Sequence, residues 1–189
     1  MKKPIWTLVM AIFVVALGIA AVLTFIGLGI GHPVPWILTA VTALVPIVHN
    51  WSQQKGFVRW DDSYSVGIKS IDDEHKNLLH LINNLQSSVR YYTGEEFERK
   101  ALSELMEYTT THFAREEELM KKHQFPGYEA HKQQHEEMAA RAKDMVARYE
   151  EDAVGAMDEI STYLRDWLIR HINGTDQEYS EYLTSRGVQ

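Results

Sequence analysis

Apolar residues run unbroken through the front of the chain and recur at helical intervals behind it. From Ile5 to Ile30 an uncharged, almost wholly apolar stretch of 26 residues exceeds the ~20 that a helix needs to cross a bilayer. The turn Gly31-His32-Pro33 follows, and Val34 to Val48 is again free of charge; extended to Trp51, this second run is just long enough to span. Pro35 is harmless near its start, whereas Pro46 near its end predicts a kink or a shortened helix. The pattern predicts a two-helix transmembrane hairpin over residues 1–51, then a polar linker over 52–59.

Beyond the linker the period changes. Trp60 to Ser70, with Asp61, Asp62, Ser63, Ser65 and Gly67, reads as an irregular arm. Ser70 or Asp72 can cap a helix that runs to about Tyr92. On it Ile71, His75, Leu78, Leu79, Ile82, Leu85 and Val89 mark an inward face. Thr93-Gly94 ends it. A second helix, from about Glu95 to Lys122, carries Phe97, Leu102, Leu105, Met106, Thr109, Phe113, Glu116 and Met120 as its stripe, with His112 beside it. Gln124-Phe125-Pro126-Gly127 is a break. The third helix, Tyr128 to Glu150, sets His131, His135, Met138, Ala142, Met145 and Tyr149 on one side. Glu151-Asp152 introduces a fourth, to about Ile172, with Met157, Ile160, Tyr163, Leu164, Trp167, Leu168 and His171 as its stripe. Short connections between four amphipathic helices predict an all-α, up-down-up-down four-helix bundle over residues 60–189. No strand pattern, repeat or low-complexity tract interrupts it.

Charge adds an orientation. Residues 1–59 hold four of the 19 basic residues (Lys2, Lys3, Lys55 and Arg59) and none of the 26 acidic ones. These cations flank the two spans, so both ends belong in the cytoplasm. That places the chain in the inner, cytoplasmic membrane with its bundle on the cytoplasmic side. Trp6, Trp36 and Trp51 fall where an aromatic belt would. A cleaved signal peptide fits poorly, because its apolar region would be too long and a second run follows at once. Gly27 and Gly31 form a GxxxG pair through which transmembrane helices could self-associate into a homo-oligomer. Beyond residue 59, 15 basic residues face 26 acidic ones, a net charge of −11 with histidine neutral. A surface that acidic repels nucleic acid. With no cysteine, disulfides, thiolate zinc sites and iron–sulfur clusters are excluded.

Four places carry chemistry: His75; His112 with Glu116; His131 with His135; and His171 with Asp176. Members of an i,i+4 pair point the same way, one turn apart. A lone core-facing histidine is usually just a satisfied core residue. Several imidazoles and carboxylates buried without partners would instead cost a few kcal/mol per group, about what a metal ion removes. His171 and Asp176 stand about 140° apart on an ideal helix, so both face one centre only if the helix breaks at Asn173-Gly174. Imidazole with carboxylate suits first-row transition metals such as iron. A structural zinc takes four ligands and a catalytic one three, so seven donors divide between two ions. The best division gives three histidines to one and two to the other, with both carboxylates bridging and one position open to a diatomic ligand. His32, His49, His80 and His123 lack partners at such spacing and read as non-ligands.

At these residues the chain resembles a hemerythrin of the bacterial type. The matching stretches are Trp60…Tyr64-Ser65-Val66-Gly67-Ile68 leading to Ile71-Asp72-Asp73-Glu74-His75-Lys76, and His112-Phe113-Ala114-Arg115-Glu116-Glu117. His131-Lys132-Gln133-Gln134-His135 and Trp167-Leu168-Ile169-Arg170-His171-Ile172-Asn173-Gly174-Thr175-Asp176 complete them. The resemblance covers about residues 57–184 and fills all seven ligand positions. It implies two non-haem irons with an oxo or hydroxo bridge and reversible O2 binding at the iron with the open position. By that resemblance His131, His135 and His171 hold the saturated iron, and His75 and His112 the O2-binding one. Glu116 and Asp176 bridge them. Leu78, Leu79, Phe113, Trp167 and Ile172 would then wall the O2 pocket.

Three roles follow. Five neutral imidazoles against two carboxylates favour binding O2 over activating it, so the first expectation is a carrier and not an enzyme. It would store O2 or deliver it to a membrane oxidase or monooxygenase. The alternatives are an O2 or redox sensor acting through a partner, and a di-iron enzyme reducing peroxide or nitric oxide.

Overall fold

The computed structural model describes residues 2–54, 56–91, 93–151 and 156–189, and these contain helices, turns and coil but no strand. The side chains of Lys2, Lys3, Trp6 and Trp51 and the whole of Lys55, invoked above for orientation and interfaces, lie outside the described residues. So do Tyr92 and Asp152, at two of the expected helix ends. The chain divides into two compact units, Met1–Phe57 and Val58–Gln189.

In the first unit α1 (Lys2–Leu28) packs on α2 (Pro33–Gln54). Ile12, Phe13, Ile19, Leu23 and Ile26 on α1, and Trp36, Ile37, Leu44 and Ile47 on α2, are all exposed. Helices apolar all round present no face suited to water. Leu8–Leu28 is long and apolar enough to cross a membrane, while the apolar part of α2, Pro33–His49, is shorter. Gly29, at φ 75°, takes the left-handed turn that side chains resist. The indole of Trp36 closes the turn by donating to the Ile30 carbonyl at 2.9 Å. Two expectations change here. α2 is not shortened at Pro46 but continues through it to Gln54. Gly31 lies in the turn and not on α1, so it shares no helix face with Gly27.

The second unit opens with an arm strapped along the bundle. Asn83 brackets Val58, accepting from its N–H at 2.9 Å and donating to its carbonyl at 2.7 Å. A 3-10 turn, Asp62–Tyr64, follows, and Val66 and Ile68 are fully buried. Helix α3 (Lys69–Tyr91) begins ahead of both residues suggested as its cap. Asp72 instead reaches back to hold the arm, accepting from the Val66 N–H at 2.8 Å.

Helix α3 lies against α4 (Glu95–Lys122) and α6 (Ala156–Asn173), and α5 (Tyr128–Glu151) against the same two. The main core joins Leu78, Leu79, Ile82 and Leu85 of α3 to Leu102 and Leu105 of α4, Met138 and Ala142 of α5, and Ile160, Leu164 and Leu168 of α6. Phe97 does not join it and is 60% exposed. It stands five residues before Leu102, about 140° round the helix, and so falls off the stripe.

An element not anticipated, α7 (Thr175–Thr184), packs on α6. Its buried residues Asp176, Tyr179 and Leu183 keep helical spacing. Tyr179 and Leu183 join Val66, Ile68, Ile71 and Met120 in a second apolar cluster. The break between α6 and α7 is at Gly174, where a Cβ would stand 3.0 Å from the Arg170 carbonyl oxygen. Gly174→Ala should therefore push α7 away from α6, lowering stability by about 1–3 kcal/mol in denaturant titrations and reducing metal stoichiometry.

Candidate metal centre

Five helices deliver the candidate donors to one place. α3 supplies His75, α4 supplies His112 and Glu116, α5 supplies His131 and His135, α6 supplies His171 and α7 supplies Asp176. None is more than 4% exposed. On one side the imidazoles of α5 and α6 meet, with His131 Nε2 3.1 Å and His171 Nε2 2.9 Å from His135 Nε2. On the other, the rings of His75 and His112 lie edge to face at 4.9 Å. The carboxylates stand between. Asp176 turns Oδ1 toward His171 (3.1 Å) and His131 (3.5 Å), and Oδ2 toward His75 (3.3 Å). Glu116 sets Oε1 3.7 Å from His75, and Oε2 3.5 Å from both His112 and His135. Two donor groups share Glu116: one with His131, His135 and His171, the other with His75 and His112.

These residues fit a pair of cations. His75 Nδ1 and Nε2, Glu116 Oε2, His131 Nδ1 and both Asp176 oxygens are buried without a hydrogen-bond partner. Orphaned buried groups of this kind cost about 1–3 kcal/mol each. Two nitrogens held about 2.1 Å from one ion at right angles stand about 3 Å apart, close to the spacing observed. The donor set, imidazole and carboxylate with no sulfur, suits iron and its neighbours.

Burial and the two carboxylates pull the titrating groups in opposite directions. Burial alone would lower His75, but the Asp176 and Glu116 carboxylates 3.3 and 3.7 Å from its Nε2 push it up to about 9. Burial takes His135 down to about 3 and His171 to about 2, leaving both rings neutral. His112 is lowered for the same reason. Burial opposes ionisation of Glu116, yet the surrounding histidines hold it well below its usual value. Asp176 is raised by burial and by the charge of Glu116.

Around the donors lies a set of polar partners that the spacing argument did not single out. Glu74, 5% exposed, accepts from His112 Nδ1 at 2.9 Å and from Arg115. Glu117 accepts from His135 Nδ1 at 3.0 Å. The Tyr179 hydroxyl donates to Glu116 Oε1, and Thr175 donates to Gln134 at 2.8 Å. Each is adjacent to a donor in sequence, or one turn from one for Tyr179. That adjacency was the available signal.

The apolar residues assigned to a pocket divide. Phe113 stacks flat on His135, centroids 3.6 Å apart, and Trp167 on His171 at 4.2 Å. Both thus cover the three-histidine side directly. Leu78, Leu79 and Ile172 lie in the main core. His80 is exposed and paired with Asn84, and His123 closes the end of α4. Neither joins the centre.

The profile of the hemerythrin HHE cation binding domain matches residues 66–183. A bacteriohemerythrin of Stenotrophomonas maltophilia is 36% identical over 128 residues, spanning 65% of this chain and 78% of its own. One from Pseudomonas aeruginosa is 35% identical over 123 residues, 64% of this chain and 77% of its own. A hemerythrin-like protein of Naegleria gruberi is 30% identical over 127 residues, 66% of this chain and 92% of its own. Among solved structures, a crystal structure of a hemerythrin mutant superposes with a TM-score of 0.61 at 25% identity, covering 67% of this chain and 97% of that one.

Two outcomes are expected of the metal-free protein. Its resistance to denaturant should fall as pH drops from 6.5 toward 3, where unfolded His135 and His171 bind protons that the folded state refuses. It should also fall as pH rises from 6.5 toward 9, where only the folded chain keeps the His75 proton. Tyr179→Phe removes the donor to buried Glu116 and should cost about 1–3 kcal/mol in the same titration.

Proposed function

The chain belongs to the hemerythrin family, whose HHE cation binding domain occupies residues 66–183, and from that we propose a membrane-tethered non-haem di-iron protein that binds O2 reversibly. It stores O2 or delivers it to a membrane oxidase or monooxygenase. The observation that carries this reading is the meeting of five imidazoles and two carboxylates in one dry centre, with six of their polar atoms unpartnered.

His131, His135 and His171 would hold one iron and His75 and His112 the other, with Glu116 and Asp176 shared. When bound, the irons supply the electrons and the open coordination position that O2 requires. The protein's own contribution is to hold the neutral imidazole lone pairs inward and to keep water out. Phe113 and Trp167, stacked on His135 and His171, exclude solvent from that side, and a dry surround limits proton entry and irreversible oxidation. Imidazole outnumbers carboxylate, so the centre is less anionic than sites that activate O2. That favours binding and release.

Leu8–Leu28 is apolar enough to span a bilayer, and with α2 it would form a hairpin in the inner membrane, bundle in the cytoplasm. O2 dissolves well in lipid, and membrane oxidases consume it there. A tethered carrier stands between the two.

Purified in detergent, loaded with iron and reduced without air, the full chain should hold two irons. It should gain a visible band under O2 and lose it under argon over repeated cycles, with no reductant consumed. Steady NADH-linked turnover would indicate an enzyme instead. His112→Ala should abolish the O2-dependent band; an unchanged spectrum in that variant rejects the assignment. Deleting residues 1–51 should release the protein from membranes and weaken the apparent O2 affinity of the recipient oxidase in cells. An unaltered affinity rules delivery out.

A further inference from the structure

Helix α3 contributes more to the centre than His75. The residue before it, Glu74, is turned about 100° away from it and faces α4. Its Oε2 lies 2.9 Å from His112 Nδ1, and its Oε1 accepts from Arg115, which follows His112 by three residues. A carboxylate already accepting from a guanidinium can only accept from the ring as well. His112 therefore carries its proton on Nδ1 and aims the Nε2 lone pair inward, 3.5 Å from Glu116 Oε2. His75, the other member of this donor group, has no partner on Nδ1. One anion thus orients and enriches a single ligand on the two-histidine side.

We propose that Glu74 is a positioning residue that, acting through His112, sets the affinity and ligand field of the two-histidine metal position. Arg115 moderates it by drawing off part of the carboxylate's charge. The inference rests on the metal-binding reading above. A purely structural role, pinning α3 to α4, is the alternative. It accounts poorly for the geometry, because the Arg115 side chain is 56% exposed and ion pairs that open to solvent contribute little, about 0–1 kcal/mol. It also leaves unexplained why a buried carboxylate oxygen faces the ring nitrogen pointing away from the centre.

Cobalt(II) is a suitable probe, because its visible bands report ligand field and it accepts the same donors. The metal-free full chain in detergent is titrated with cobalt and followed by absorption, for wild type, Glu74→Gln and Arg115→Gln. Wild type should take up two equivalents; none bound would overturn the metal reading itself. With two bound in the wild type, Glu74→Gln should weaken one equivalent by about 10- to 100-fold and shift its bands, while the other equivalent and the metal-free melting temperature stay put. Both equivalents binding as in wild type, or a lowered melting temperature with unaltered bands, overturns the proposal. Arg115→Gln, an exposed change that should not affect folding, keeps Glu74 in place. It should retain both equivalents and shift the bands of that same position. Bands identical to wild type there would also sink the idea, even if Glu74→Gln failed to fold.

Discussion

Two carboxylates, Glu116 and Asp176, share a buried interior with five imidazoles, and Glu116 Oε2 and both Asp176 oxygens stand there without a hydrogen-bond partner. Two buried negative charges are tolerable only with compensating positive charge nearby. In the bare chain His75 meets that need with a proton, which is why it resists deprotonation while His135 and His171, in the same interior, resist protonation. Metal cations would meet it too, and would also take up the converging lone pairs. The bundle is built around this requirement: each helix gives up apolar positions at one level to provide donors, and the remaining apolar core lies alongside them.

The donors are held by ties between helices, made by residues next to them in sequence. Glu74 beside His75 backs His112, and Glu117 beside Glu116 backs His135. Gln134 beside His135 meets Thr175 beside Asp176, and Tyr179, one turn past Asp176, anchors Glu116. Neighbouring residues on a helix diverge by about 100°. When one looks inward, the next looks toward an adjoining helix. This is an economical way to fix side-chain direction without lengthening the site.

Much of this was legible in the order of residues. The helices of the bundle follow from three- and four-residue apolar spacing, and the donor clusters from histidines and carboxylates falling on those same stripes. The Gly174 break followed from the need to bring His171 and Asp176 to one centre. Less was legible where a residue's role depends on what stands opposite. Glu74 and Glu117 look like ordinary surface acids until α4 and α5 are set beside them. Asp72 has the chemistry of a helix cap within its own segment, whereas its partner is Val66 on the arm. Helix α7 leaves only a faint stripe in the sequence, ten residues with three buried ones. Phe97 is apolar in type but out of phase with its helix's buried stripe, and phase decides its place.

That short helix imposes an order on biosynthesis. Asp176 and Tyr179 leave the ribosome after the other six donors, so a nascent chain passes through a stage with every histidine present and Glu116 still lacking its hydroxyl partner. Metal captured then would find an incomplete cage. Finished, stable holoprotein must wait until translation has passed α7, and a message cut short before that point would yield a bundle with an unclosed end.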